Sequence, residues 1–579
     1  MQSTIPITEN AVLNFMGGKN YKLNPLQSMQ IICVSMICGE SQYYRPKNTD
    51  KQNFKDHFLF NVFYSETEPH SSNDYFTTIV SNALEYDFPG TLTFIEKLRN
   101  EYFMRLNSHF LITQAVHHPK RIEFNQKTPN VFRQAIEDAC NIPTDWTTQY
   151  KLLKESGKPI PTIWKKAIAY QLQKLTPYHA SKYIHGSKTQ GKTDKMLANI
   201  VDLIRITHPK PTDLLNDLIK NGKVLIVADE EQTWEKLRSK GKTWVEINDQ
   251  LKMPHMALLR NLSNILDEYS LLEPPDATSK IQELVSHLIR GVNGGKQFPF
   301  RYYSAHKRLT YSVSHARGSS RKRGRLSHSV KQIETVYRSL EQENLYNELL
   351  TMVLDGLNQC LLESLDTIPQ LPGRVDCLAD NSGSARGGIV SEYGSLGVYE
   401  ISNLSAILTA FRSTKGGSVW VFGDTLKEYV VSKEKSILTQ LDEVNAIGNT
   451  VGCGTETGVW LFWEKAIRES IPLDHVFIYS DMQAGTGELF ASSNHTDEMQ
   501  KLGAFIGKTG TSFIDVLSLV NTYRTSVYSK TNIFSVQVAG YDNSIMPDIL
   551  YRGALLSGWT GKEAKMAYEM SQLWDKIEA

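Results

Sequence analysis

From Asn24 to about Leu365, apolar residues return every three or four positions, the period of a helix with one buried face. Val80, Ala83, Leu84 and Phe88 form one such stripe, and Leu92, Phe94, Ile95, Leu98, Tyr102 and Phe103 form the next. Trp164, Ile168 and Leu172 follow, then Leu197, Ile200, Val201 and Ile204, then Leu258, Leu262 and Ile265. The breaks are short and polar and often hold proline: Pro119-Lys120, Pro143-Thr144, Pro209-Lys210-Pro211 and Glu273-Pro274-Pro275. Helix pairs on short loops describe either an α-solenoid of the armadillo or HEAT kind or an irregular helical domain.

Beyond residue 370 the pattern changes. Short, continuous apolar runs at Val375–Ala379, Ser418–Phe422, His475–Tyr479 and Ile533–Val538 predict strands. Val459–Ser470 and Phe513–Thr522 predict helices between them. Alternating strand and helix implies a mostly parallel sheet with helices on both faces. The predicted class is therefore α followed by α/β, with domains at 1–369 and 370–579.

The chain has 579 residues, 41% hydrophobic and 22% charged, with a formal net charge of +1. That is the composition of a soluble globular protein of two or more domains. A balanced total does not exclude nucleic acid, because a local basic patch can hide within it. Six cysteines are scattered with no Cys-x-x-Cys pair, so neither a zinc site nor a disulfide framework is indicated. The longest apolar stretch, Met29 to Cys38, is far short of a membrane span, and the N-terminus has no basic region leading into an apolar one. The expectation is a cytoplasmic protein without membrane contact.

Candidate chemistry sits at the predicted strand ends. Val375–Ala379 runs into Asp380-Asn-Ser382-Gly-Ser384. One carboxylate and two hydroxyls at alternating positions are hard oxygen donors, suited to Mg²⁺ or Mn²⁺. Asp481 follows the run ending at Ser480, and Thr455 lies in the glycine-rich loop Gly452–Gly458. In an α/β sheet such loops meet at the carboxyl ends of the strands. Asp-x-Ser-x-Ser alone also reads as an Asx-turn or a helix N-cap. Asp380, Ser382, Ser384, Thr455 and Asp481 together resemble a metal-ion-dependent adhesion site. Few charged ligands leave such an ion able to accept a partner's carboxylate, which is binding chemistry. No acid–base pair, nucleophile or phosphate loop accompanies it.

Two basic clusters lie in the helical part. The first is Lys182 to Lys188, continued by Lys192, Lys195, Arg205, His208 and Lys210. The second runs from Arg301 through Lys307, Arg308, Arg317, Arg321, Lys322, Arg323 and Arg325, with no acid before Glu334 and with Tyr302, Tyr303 and Tyr311 interleaved. Each alone reads as a solvated face. Two in one helical domain favour RNA or DNA, since cations neutralise phosphates and aromatic rings stack on unpaired bases. His208, at a predicted helix end, also reads as a C-terminal cap.

The whole chain resembles the Ro ribonucleoprotein family, a TROVE domain followed by a von Willebrand factor A domain. The stretches that carry the likeness are Asn14-Phe-Met-Gly17-Gly18, Gly39-Glu-Ser-Gln-Tyr43-Tyr44, Leu98-Arg99-Asn100 with Met104-Arg105, and Leu203-Ile-Arg205-Ile-Thr-His208-Pro-Lys210-Pro211. Met253-Pro254 with Ala257-Leu-Leu-Arg260-Asn261-Leu262, the seam Ile368-Pro-Gln-Leu-Pro372-Gly373 with the loop after it, and Gly558-Trp559 complete the set. The resemblance implies a closed ring of HEAT-like helical repeats whose ends are joined by a Rossmann-like A domain. It implies a monomer of bacterial or phage type that binds Y-like noncoding RNA on the outer face of the ring. Single-stranded 3′ ends of misfolded or structured RNAs would enter the central hole, and the Y RNA would tether an exoribonuclease for RNA quality control, processing or decay. Lys182 and His208 match family positions that contact Y RNA. Lys188, Lys192, Arg205, Lys210, Arg260, Arg321, Lys322 and Arg323 are further RNA-binding candidates, and the adhesion-site residues would hold the divalent cation. Two departures stand in the ion site. Arg386 replaces the usual Met and could weaken ion affinity or pair with a partner's carboxylate. Glu456 replaces the usual Asp.

Two other functions fit the residues. One is a divalent-ion-dependent protein scaffold, with the basic clusters merely solvated. The other is a nuclease that uses Asp380 and Asp481 as a metal pair, against which the Ser and Thr companions argue.

Overall fold

The computed structural model describes residues 11–13, 19–21, 24–26, 29–30, 33, 72–101, 104–183, 199–221, 233–295, 297–316, 340–386, 396–454, 456–480, 488–490, 513–538, 552–557 and 563–578. Tyr102, Phe103 and Leu197 of the predicted stripes lie outside them. The chain forms two compact units, 1–233 with 534–579, and 234–533. No helix among the described residues is long and apolar enough to cross a membrane.

The first unit opens on an antiparallel pair, β1 (Ala11–Leu13) and β2 (Lys19–Tyr21). Among the described residues the helices that follow are α1 (Ser72–Tyr86), α2 (Phe88–Asn100), α3 (Arg105–His117), α4 (Arg121–Lys127), α5 (Val131–Ala139), α6 (Pro143–Glu155), α7 (Thr162–Leu172), α8 (Pro177–Tyr183), α9 (Ile200–Thr207) and α10 (Asp213–Asn221). The predicted break at Pro143 is a helix start, because proline at the first helical position loses no hydrogen bond. Asp87 caps α2, its Oδ1 accepting the Gly90 N–H at 2.9 Å. The predicted faces are the buried ones: Leu92, Phe94, Ile95 and Leu98 in α2, and Trp164, Ile168 and Leu172 in α7. Phe88 sits 5.0 Å from Phe124 and 5.3 Å from Phe132, ring centre to ring centre. The C-terminal helix Glu563–Glu578 belongs to this unit, where Glu569 pairs with Lys97 of α2 at 2.6 Å.

Asp145 of α6 is fully buried and gathers polar groups from α2 and α3. It accepts from Arg99 Nη2 at 2.8 Å and lies 3.2 Å from His109 Nε2, with Arg105 Nε at 3.9 Å. Burial opposes its charge, but the bonds to His109 and Arg99 outweigh burial and hold its carboxyl below the usual carboxylate range. Burial lowers the His109 imidazole, so it is neutral, with Nε2–H donated to Asp145 and Nδ1 facing the Cys140 thiol at 3.8 Å.

In the second unit, α11 (Trp234–Ser239), α12 (Trp244–Gln250), α13 (His255–Tyr269), α14 (Pro274–Gly295), α15 (Pro299–Ala316) and α16 (Leu340–Ser364) precede the sheet. A 3₁₀ turn, Leu365–Thr367, ends the helical run, and the first strand begins at Val375. The change from helix to strand thus falls at the predicted seam, whereas the compact units divide the chain elsewhere. Side-chain bonds explain why: Glu400 of the α/β part accepts from Tyr303 Oη at 3.1 Å and pairs with Lys307, both on α15.

His255 fits between α13 and α14, over two glycines four residues apart. A Cβ at Gly291 or Gly295 would lie 2.5 Å from the imidazole, which is also held by Tyr302 Oη at 2.8 Å. Gly291→Ala should therefore destabilise this unit by about 1–3 kcal/mol, measured by denaturant melts. An unchanged midpoint would mean that the helices part at no cost.

Strand β3 (Val375–Asp380) pairs in parallel with β4 (Gly417–Phe422) on one side and β6 (His475–Ser480) on the other, and β5 (Leu426–Val430) adds antiparallel to β4. The central pairings are parallel, as the sequence predicted, and β5, which the sequence did not predict, makes the sheet mixed by adding an antiparallel strand. Before β4 stands α18 (Val398–Phe411), preceded by the single turn α17 (Gly383–Arg386). Helices α19 (Ile437–Gly448) and α20 (Glu456–Arg468) lie between β5 and β6. All six residues of β3, β4 and β6 are buried, as expected of strands covered on both faces. The predicted helix Phe513–Thr522 begins instead as a strand, Phe513–Asp515. Asp515 then caps the helix Val516–Ser526 by accepting from the Ser518 N–H at 3.1 Å. The predicted strand at Ile533–Val538 is observed as Asn532–Gln537, and the boundary between the units falls within it.

Candidate functional site

The candidate ion loop is built on the end of β3. Asp380 is fully buried; its Oδ1 accepts the Ser382 N–H at 2.9 Å and its Oδ2 accepts from Ser480 Oγ. The Ser382 and Ser384 hydroxyl oxygens lie 3.1 Å apart. Backbone bonds bring the glycine-rich loop alongside, with Gly383 N–H donating to Cys453 O at 2.9 Å. Asp424, just past β4, fixes that loop by accepting the N–H groups of Cys453 and Gly454, each at 2.9 Å. Gly452 is at φ +85°, and a Cβ there would collide with the Asp424 carboxylate. Of the predicted ligands, Asp380, Ser382 and Ser384 are thus brought together. Thr455 and Asp481 lie outside the described residues, although Gly454 and Ser480, their immediate neighbours, reach the site.

A buried carboxylate beside two close hydroxyls fits a hard divalent ion. Among the described residues no three His, Cys, Asp or Glu side chains group as a metal centre. Asp424 and Ser480 were not singled out from the sequence. The signal for Asp424 was present, an acid after an apolar strand run, as at Asp380. If the loop holds an ion, Asp424→Ala should weaken Mn²⁺ binding about 10- to 100-fold, as loss of supporting bonds does elsewhere. Titration of the full chain by calorimetry checks this, and unchanged affinity would count against the site.

Arg386 does not point to an incoming carboxylate. Its guanidinium donates to Asn381 Oδ1 at 2.7 Å and to Asn445 O at 3.1 Å, bonds Asn449, and lies 4.5 Å from the Tyr399 ring centre. It secures the ion loop to the last turn of α19, where a cation suits the exposed carbonyls.

The first basic cluster is described at its C-terminal end. Asn199 and Asp202 form a reciprocal capping box at the start of α9, each bond 3.0 Å. The helix buries Ile200, Leu203, Ile204 and Thr207 and leaves Arg205 exposed. His208 ends it in the left-handed conformation, φ 48°, its N–H donating to Ile204 O at 3.0 Å. His208 is thus the predicted cap, and its ring and Lys210 are exposed. Arg260 is exposed on α13 of the other unit. Lys182 lies on α8, with its side chain outside the described residues; Lys188, Lys192, Arg321, Lys322 and Arg323 lie outside them altogether.

Cys140, His109 and Asp145 have the order of a nucleophile, a base and an orienting acid. Burial excludes that use, because it pushes the Cys140 thiol well above its ordinary range and a thiolate is the reactive form.

Residues 113–354 match the family profile of the TROVE domain. Its fold is similar to that of the RO (RSR) protein of Deinococcus radiodurans in its crystal structure, at 12% identity and a TM-score of 0.54, covering 88% of this chain and 96% of that one. The Ro resemblance read from the sequence is borne out by these two findings. No curated protein matches the chain by sequence.

Proposed function

We propose that this chain is a non-catalytic RNA-binding protein of the Ro type. The observation that carries the proposal is the exposed end of α9, where the cations Arg205 and Lys210 flank the ring of His208, inside the TROVE match. In this reading 1–369 forms a ring of HEAT-like repeats and 370–579 a von Willebrand factor A domain. Y-like RNA binds the outer helical face, and single-stranded 3′ ends of misfolded or structured RNAs enter the central hole. The protein is a cytoplasmic monomer in RNA quality control, processing or decay, with an exoribonuclease tethered through the Y RNA. Asp380, Ser382 and Ser384, with Thr455 and Asp481, would hold Mg²⁺ or Mn²⁺, which supplies a coordination position for a partner's carboxylate.

The ion loop alone would serve a protein scaffold without RNA equally well. Sequencing the RNA that copurifies with the chain separates the two. Structured noncoding RNAs are expected, and protein with a nucleic-acid-free ultraviolet spectrum would favour the scaffold. Nucleotide release with Mg²⁺, lost in Asp481→Ala, would support a nuclease instead.

A further inference from the structure

Helix α7 buries Trp164, Ala167, Ile168, Gln171 and Leu172 and turns its opposite face outward. Lys166 and Tyr170 stand on that face, and Lys174 continues the row just past the helix end; all three are exposed. Residues four apart on a helix are neighbours, and the row spans roughly 12 Å. Tyr170 is 45% exposed, with Lys174 Nζ 4.1 Å from its ring centre.

An exposed tyrosine alone needs no explanation. The charge around this one sets it apart. No Asp or Glu occurs between Glu155 and Asp194, a stretch that holds Lys158, Lys165, Lys166 and Lys174 as well as Lys182. Glu137, whose carboxyl feels Lys174, is paired with Arg133 at 3.1 Å. Helix α7 also packs against α9, the helix of Arg205 and His208.

We propose that Lys166, Tyr170 and Lys174 form a docking surface for single-stranded RNA. An unpaired base stacks on Tyr170, and the phosphates beside it meet the two lysines. A duplex hides its base faces, so the ring selects unpaired nucleotides. The assignment rests on the RNA-binding reading above and extends it to residues outside the basic clusters.

The test is fluorescence anisotropy on the full chain, with a labelled oligouridine of about twelve nucleotides and an RNA duplex of similar length. Tyr170→Ser should weaken oligouridine binding about tenfold and leave duplex binding unchanged, while Tyr170→Phe keeps wild-type affinity for both. Lys166→Gln with Lys174→Gln should flatten the plot of log affinity against log salt by about 1.4 units, the single-strand value for two phosphates left without a cation. Wild-type oligouridine binding in Tyr170→Ser, or an equal loss in Tyr170→Phe, overturns this surface alone. A wild-type chain that binds neither RNA overturns the RNA-binding reading and this surface with it.

Discussion

Asp145→Ala should lower the stability of the first unit by about 3–5 kcal/mol, the largest effect expected of any single substitution in it. The carboxylate is fully buried and answers both Arg99, 14% exposed, and the fully buried His109. Removing it leaves a guanidinium with too few acceptors in a dry interior, and that desolvation is not recovered. Hydrogen exchange at the amides of α3 and α6 reads the loss locally, which matters in a chain of two units. Glu123→Ala, which breaks only the exposed pair with Lys127, should leave exchange unchanged. Equal behaviour of the two variants would show that the network stabilises nothing. The pH dependence has a definite sign. His109 has a folded pKa below its unfolded value, so the unfolded chain binds more protons and stability falls as pH drops below about 6.5. The carboxyl of Asp145 is also depressed, so its contribution is present above about pH 4 and is lost as pH falls further, through its folded value.

The second large effect is on RNA affinity. Arg205→Gln with Lys210→Gln should make the salt dependence shallower by about 1.4–1.8 units, at roughly 0.7–0.9 for each phosphate left without its cation. Extrapolated to physiological ionic strength, that is a loss of about 10- to 30-fold. Both side chains are exposed, so the fold should be untouched. His208→Asn is the fitting companion, because asparagine tolerates the left-handed conformation and isolates loss of the ring from backbone strain. Arg238, held by Glu268 at 3.0 Å, is the control cation, and Arg238→Gln should not change the slope. An unchanged slope in the double variant would remove this end of α9 from the RNA surface.

Local pattern made much of the fold legible. Leu92, Ile95 and Leu98 repeat at helical spacing and are buried together, and the apolar run at Val375 is the central strand. Errors came where local signals pointed the wrong way. Leu426–Val430 is largely exposed, carries Lys427 and Glu428 side by side and lacks the continuous apolar run of its neighbours, so neither signal of a strand marks β5. Phe513-Ile514 merges with the apolar face after Asp515, which hid the strand and the cap between. In the candidate ion loop, residue types suggested the donors, but only the chain's return past β4 and β6 shows Ser480 bonding Asp380 and Asp424 bonding the neighbouring glycine-rich loop. The anchoring role of Arg386 is hidden for the same reason, since two of its partners lie 59 and 63 residues away. Asp145 and Arg99 are 46 residues apart and leave no periodic trace.

In the reading proposed above, the helical part binds RNA through exposed cations. Equilibrium binding of the full chain to a structured RNA with a single-stranded 3′ tail, across a series of salt concentrations, tests it most directly. The expected result is a straight log–log plot whose slope is steeper than about −2, which requires more than two neutralised phosphates. Affinity that does not respond to salt, or no binding at low salt, would contradict it.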